Sequence, residues 1–277
     1  MVELLFIKDD IEKNITEFIN TQCIEVNLKP PEISFGNLKY LTDDGERETD
    51  NNTFNPFDIT VRLLMEYDSI EDYFLRTAEL KSYLYSRSSY YLVFEYMPGK
   101  RYPVQIKSFE PEVVESDGAV FEVIFNCFKG YSESIESTIN VQDVTSQDWQ
   151  FSQGIVSQDT SYSYRKSNFV IQNLGDFSVD PRKKHYLKIV LKGESDGMIS
   201  IINKTNGSKF IYQKPLSSRK GETIELIGVE PSKNGVQCGI DCPSIGPIIL
   251  SPGENKIEIK NTSNVEVFFD FRHLYKV

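Results

Sequence analysis

Residues 58–106 constrain this chain more than any other stretch, because strand, helix and hairpin signals follow one another there without a break. Ile59, Val61, Leu63 and Met65 alternate with Asp58, Thr60, Arg62 and Glu66, the two-residue period of a strand with one buried face. Ser69 then offers an N-cap oxygen, and Ile70, Tyr73, Phe74, Thr77, Leu80 and Leu84 recur at three- and four-residue spacing. This predicts an amphipathic helix of about four turns at ~3.6 residues per turn. Residues 90–95 return to strand character, Met97, Pro98, Gly99 and Lys100 read as a turn, and Tyr102, Val104 and Ile106 alternate on the way back. A helix inserted between strands must lie across a sheet, so this block is the expected nucleus of an N-terminal domain.

The 277 residues suit two domains, since single cores commonly hold ~100–200 residues. At 39 % hydrophobic and 12 % aromatic there is material to pack both, which excludes a disordered protein. The apolar run near the start is too short for a secretory signal, and no stretch approaches the ~20 apolar residues of a membrane span. A soluble chain with no membrane contact is expected. The net charge of −11 is split unevenly: residues 1–138 carry 13 Lys+Arg and 26 Asp+Glu, a net −13, while residues 139–277 carry 17 and 15, a net +2. The acidic half has the wrong sign to hold nucleic acid through phosphate neutralisation. It reads as solubility charge, or as the lining of a channel along which DNA passes without adhering.

Strands are expected at 2–7 and 24–28, with weak helical spacing at 10–18 and a polar, acid-rich connection over 36–57. Beyond the central block, strands at 108–114 and 119–128 flank a turn at Asp117 and Gly118, with Phe121, Val123, Phe125 and Cys127 on one face. Residues 132–168 are rich in Ser, Thr, Gln and Asp and contain the single tryptophan, Trp149. This gives an N-terminal domain over 1–138, a linker over 139–150 and a second domain over 151–277. In the second domain, strand signals at 185–191, 199–202, 210–212, 222–227, 248–250, 256–260 and 265–271 alternate with turn residues. Asn206 and Gly207 form the strongest of these hairpin signals. The pattern indicates a β-sandwich of jelly-roll kind, and the fold class as a whole is mainly β.

Residues able to carry chemistry are few. The histidines are His185 and His273, and neither lies beside a nucleophile-elbow motif. Cys238 and Cys242 have a spacing that starts a zinc site, but four ligands are needed and only the two histidines remain to complete it. Unpaired loop thiols are the simpler expectation for this pair, with Cys127 a buried thiol in the core. Asp43, Asp44 and Gly45 hint at calcium but lack the alternating ligands and late glutamate of a calcium loop. Gly193 to Gly197 lacks the lysine of a phosphate loop. The basic clusters Arg182, Lys183, Lys184 and Arg219, Lys220 read as exposed turns. No catalytic residue, metal site or cofactor is expected.

The order of signals carries a resemblance. The strand at 58–66, Asp72, Tyr73 and Phe74 near the helix start, Glu79 and Leu80, residues 91–96, Pro98, Gly99, Lys100 and Tyr102, then residues 121–127, Gly130 and Tyr131 resemble the N-terminal domain of distal tail proteins of long-tailed phages infecting Gram-positive bacteria. Asn173, Leu174, Gly175 and Asp176, then Asp180, Pro181 and Arg182, residues 203–207, residues 252–255 and residues 269–272 resemble the galectin-like, carbohydrate-module-like C-terminal domain of the same proteins. The resemblance implies an N-terminal β-sandwich with one helix and a hairpin, forming the belt of a homohexameric ring. It further implies a C-terminal galectin-like sandwich projecting outward as a docking platform. Its implied partners are the major tail tube protein, the tail-associated fibre or lysin, and receptor-binding or other baseplate components. Its implied place is the virion tail tip after synthesis in the host cytoplasm. Excursions such as residues 36–57 are used between neighbouring subunits in that family. The rival class is a carbohydrate-binding module acting on the bacterial surface. Sugar sites usually need a preoriented aromatic platform, and Trp149 lies in the linker, so the expected role of the C-terminal domain is protein docking. Tyr162 and Tyr164 are expected among flexible residues, and Tyr186 and Tyr212 in strands with one face in the core.

Overall fold

A computed structural model describes residues 3–9, 11–16, 21–40, 44–47, 52–115, 117–139, 162–243 and 246–276. The chain divides into two compact units, residues 1–133 and 134–276.

In the first unit, β1 (Leu4–Lys8), β2 (Ile11–Asn14) and β3 (Thr21–Leu28) precede two short strands, β4 (Ile33–Ser34) and β5 (Thr53–Phe54). β6 (Phe57–Glu66), the helix α1 (Ile70–Leu84), β7 (Tyr90–Phe94), β8 (Lys100–Val114) and β9 (Gly118–Cys127) follow. The main sheet runs β2-β1-β7-β8-β9-β6-β3, and each pair in it is antiparallel. The alternation read from sequence is the alternation found. Ile59, Val61, Leu63 and Met65 are fully buried, and Leu63 sits opposite Phe121 and Val61 opposite Val123 on β9. Residues 11–14, where weak helical spacing was noted, form an edge strand instead, because Ile11–Asn14 folds back on β1 in register.

The helix begins where Ser69 predicts. The Asp72 N–H donates to the Ser69 hydroxyl at 3.2 Å, and Arg76 returns to Asp72 one turn later at 2.8 Å. Its inward face carries Thr77, Leu80 and Leu84, which join the cluster of Phe6, Tyr90 and Phe125, while Tyr73 stacks on Phe121. After β7, two successive turns close the hairpin, with the Met97 N–H on Phe94 O and the Lys100 N–H on Met97 O. The predicted strands at 101–106 and 108–114 are one strand, β8, bent by irregularities between Ile106 and Ser108 and between Pro111 and Val113.

Gly130 shows how tightly the end of this unit is built. It holds φ +74°, and a Cβ there would stand 2.8 Å from Phe54 O and 2.9 Å from Asn55 O. Those atoms belong to the base of the 33–54 excursion, so the turn after β9 presses directly on it. Gly130→Ala is expected to cost ~1–3 kcal/mol from left-handed strain and backbone collision together. Urea unfolding of the variant checks this, with unchanged stability the contrary result.

β10 (Ser132–Ser134) lies at the division between the units. The division falls a few residues before the boundary drawn from sequence. Polar residues that look like linker already belong to the second unit: the Ser134 N–H bonds His273 O at 2.8 Å and the Thr138 N–H bonds Phe271 O at 3.0 Å. Of the expected 139–150 linker only Ile139 is described, and Trp149 lies outside the described residues.

The second unit contains β11 (Ser163–Tyr164), β12 (Asn168–Asn173), β13 (Leu187–Ser195), β14 (Ile199–Asn203), β15 (Lys209–Tyr212) and β16 (Leu216–Ser217). β17 (Ile224–Ile227), β18 (Glu230–Lys233), β19 (Val236–Gln237), β20 (Gly253–Lys260), β21 (Ser263–Phe271) and β22 (Leu274–Tyr275) complete it. One sheet runs β11-β21-β13-β17-β18-β19 with β16 on β13, and the other runs β12-β20-β14-β15. Ile189, Leu191, Val267, Phe269, Ile201 and Ile257 are buried between them, as a sandwich requires. The stretch predicted as a strand over 248–250 makes only an isolated bridge, Val179 to Leu250. The Asn206-Gly207 hairpin is present, but with a longer loop than the two-residue kind. The Gly207 N–H bonds Asn203 O, and the Asn206 side chain is engaged by Ile249 O and Ser251.

Candidate functional site

The first unit leaves apolar side chains uncovered where a surface of this charge would ordinarily be polar. On the outer face of α1, Phe74 and Leu75 are 64 % and 68 % exposed, with Ile70 beside them in the i,i+4 relation to Phe74. Next to the helix start an open groove of about 760 Å³ is lined by Leu64, Tyr67, Val113 and Val120, with Glu66 and Asp117 at its rim. A second uncovered set, Ile33, Phe35, Leu38 and Tyr40, lies on the 33–54 excursion, which is held by the β4–β5 pair and by mutual Leu38–Arg47 backbone bonds. Exposed clusters of large apolar residues on an acidic domain mark surfaces meant to be covered.

The first unit also holds a buried ion cluster that sequence reasoning missed. The Glu133 carboxylate takes Lys129 at 2.5 Å and Arg101 at 3.1 Å, and the Arg101 guanidinium lies 3.9 Å from the Tyr91 ring centre. Burial works to raise the Glu133 pKa, but Lys129 and Arg101 outweigh it and hold the carboxyl below its ordinary range. The i,i+4 spacing of Lys129 and Glu133 was the only visible signal, and Arg101 is brought in by tertiary structure.

In the second unit the histidines are structural. His273 is almost wholly buried against Tyr162, Phe271 and Tyr275, and its Nδ1 accepts the Leu174 N–H at 3.2 Å. Burial pulls its pKa down to about 4. His185 Nδ1 accepts the Asp180 N–H at 3.1 Å, beside the Asp180–Arg182 ion pair that caps the turn at Pro181–Lys183. The basic clusters are turns as expected, and Glu194 clamps the second one through Ser217, Ser218 and the Arg219 N–H. Cys127 is buried and its thiol is pushed up to about 12 by burial. Cys242 is likewise pushed up to about 12 by burial, and its Sγ lies 3.4 Å from Cys238 O. Among the described residues no group of three or more His, Cys, Asp or Glu side chains is placed to hold a metal, and no helix is long and apolar enough to cross a membrane.

The tyrosines differ from expectation. Tyr162 is buried, donates to Gln172 O and meets Phe271 edge-on, while Tyr164 stacks on Phe169 at 4.0 Å, so neither is loose. Both are pinned because β11 pairs with β21 and carries them into the sandwich. Tyr212 is in the core as expected, but Tyr186 precedes β13 and is 45 % exposed, its hydroxyl held 2.6 Å from Asp270 Oδ2.

With this geometry in view, residues 43–127 match the model of the phage tail protein RIFT-related domain. The crystal structure of the Dit protein of phage SPP1, described as a paradigm of the hub adsorption apparatus in phages infecting Gram-positive bacteria, matches 98 % of this chain and 99 % of its own. Its TM-score is 0.68 at 11 % identity. The likeness to distal tail proteins holds. It extends through both units, so the mainly β, two-unit fold is similar to that of the SPP1 Dit protein, and the family model falls on the block from which the N-terminal domain was read. A chain of the phage P2 baseplate in its activated conformation with Ca also matches, over 99 % of this chain and 98 % of its own, at 9 % identity and TM-score 0.47. No protein of curated function matches the sequence.

Proposed function

We propose that this protein is a structural, non-enzymatic hub of a phage tail tip: a homohexameric ring of N-terminal units, with C-terminal units projecting outward to dock other baseplate parts. The observation that carries the reading is the coincidence, on the unit matched by the phage tail model, of uncovered apolar side chains on α1 and on the 33–54 excursion. A head-to-tail ring needs two different surfaces on each copy, and these are two. In the assembled tail the ring continues the tail tube on one side and meets the tail-associated fibre or lysin on the other. Receptor-binding components attach at its periphery. The full-length SPP1 likeness supports this as a fold-level analogy, and the acidic N-terminal half fits a conduit that DNA traverses without adhering.

Native mass and negative-stain imaging of the full chain test it. Rings are expected, more abundant as salt rises and like-charge repulsion between copies is screened. Phe74→Asp with Leu75→Asp is expected to abolish rings while leaving unfolding within ~0.5 kcal/mol of the parent, since both side chains are mostly exposed in the single chain. A protein that stays monomeric across salt and concentration overturns the hub.

A further inference from the structure

On the outward face of the larger C-terminal sheet, β13 and β21 run in register so that Val190 sits opposite Phe268. Lys188 opposite Asp270 flanks that pair on one side and Lys192 opposite Glu266 on the other. Beside this ladder stands Tyr186, and together they line an open groove of about 540 Å³, inside the ~300–1,000 Å³ range of small-ligand sites. We infer that this groove is a binding site for a neutral saccharide, with the Tyr186 ring as its platform.

The objection raised from sequence was that no tyrosine of this domain is preoriented, and the structure removes it. The Tyr186 hydroxyl is fixed 2.6 Å from Asp270 Oδ2, and Asp270 is itself buried, its other oxygen 3.3 Å from the Ile139 N–H. A ring anchored at its polar end loses little freedom when a ligand covers it, which is the condition under which one aromatic face contributes to affinity. Sugars present an apolar face ringed by hydroxyls. The groove offers the same elements: the Tyr186 ring at one end and the Val190–Phe268 pair further along, with lysine ammoniums, carboxylates and the Ser163 hydroxyl also in the lining.

Charge decides for a neutral ligand. Lys188 Nζ lies 3.4 Å from Glu225 and Lys192 Nζ 3.5 Å from Glu266, so the rim offers donors and acceptors in balance and no net field for a phosphate or carboxylate. The concavity is of small-ligand size, and a protein partner that buried it would have to cover the surrounding sheet face as well. The inference extends the C-terminal unit beyond docking: a tail-tip hub with such a site touches glycan at the host surface as well as its protein neighbours.

The test is calorimetric titration and saturation-transfer NMR of the full chain against β-linked glucose, galactose and N-acetylglucosamine tri- and tetrasaccharides, with a glycerol-phosphate polymer alongside. Saturable binding to a neutral sugar at about millimolar Kd or tighter is expected. Tyr186→Ala should weaken it at least tenfold in a protein that still unfolds cooperatively, while Tyr186→Phe, which keeps the ring and loses the same Asp270 bond, should weaken it less and so separates the ring from the stability cost of that bond. Absence of binding to every neutral sugar, binding of the anionic polymer alone, or binding indifferent to Tyr186→Ala in a folded protein overturns the inference. Ring formation, scored on the same samples, reports on the hub separately, so either reading can fail without the other.

Discussion

Replacing Glu133 by alanine is expected to destabilise the N-terminal unit by roughly 3 kcal/mol, because it leaves Arg101 and Lys129 facing a buried site with no counter-charge. Side-chain exposures of 13 % for Arg101 and 8 % for Glu133 mean that water does not replace the lost carboxylate at the guanidinium, whereas Lys129, at 29 %, is free to turn outward. The Arg101 head is further committed to the Tyr91 ring. Glu133→Gln keeps an acceptor oxygen and should recover part of the loss. The acid dependence has a definite sign. The folded carboxyl is held below its ordinary value of 4.5, so the contribution is complete above that pH and is lost as pH falls through the folded pKa. Urea unfolding at neutral pH checks the first claim, and a Glu133→Ala midpoint within ~0.5 kcal/mol of the parent would refute it.

The second large effect is expected in the C-terminal unit, which should lose roughly 3 kcal/mol of stability between pH 6.5 and 4 through His273. Folded, this imidazole titrates near 4, against about 6.5 in the unfolded chain. Between those values the unfolded state takes up a proton that the folded state refuses, so stability falls with pH and levels off below the folded pKa. The structural reason is burial: Tyr162, Phe271 and Tyr275 close off solvent, and within that enclosure Nδ1 accepts the Leu174 N–H while Nε2 faces the Tyr162 hydroxyl at 3.5 Å. His273→Gln is expected to lower stability at pH 7 yet flatten the pH slope over this window. An identical slope in that variant would mean that another group sets it.

Glu133 and His273 also mark where the sequence stops being readable. The strand at 58–66 and the helix from Ser69 were legible because period and cap are local, resting on neighbours within four residues. Arg101 meets Glu133 across 32 positions and Leu174 meets His273 across 99, and no window along the chain displays such pairs. Tyr186 failed to read correctly for a related reason: its value as a platform comes from Asp270, which lies 84 positions away. Residues 11–14 were ambiguous because a four-residue edge strand has too few positions for its period to show, and only pairing with β1 decides it. The tyrosines at 162 and 164 sit in a polar stretch whose composition hides β11.

The placement of β21 sets an order of events during synthesis. The first unit draws the main path of its sheet from β1 through β9 and its buried ion cluster from Arg101, Lys129 and Glu133, so these partners are in hand once Glu133 has left the ribosome, and it can close while the rest is still being made. The second unit cannot. β21 lies between β11 and β13 in the larger sheet, and residues 134–138 bond to the segment 269–273, so β13 is left with an open edge until β21 emerges. During that interval the β21-facing edge of β13 has no partner, so the chain most needs protection from aggregation between the emergence of β13 and that of β21.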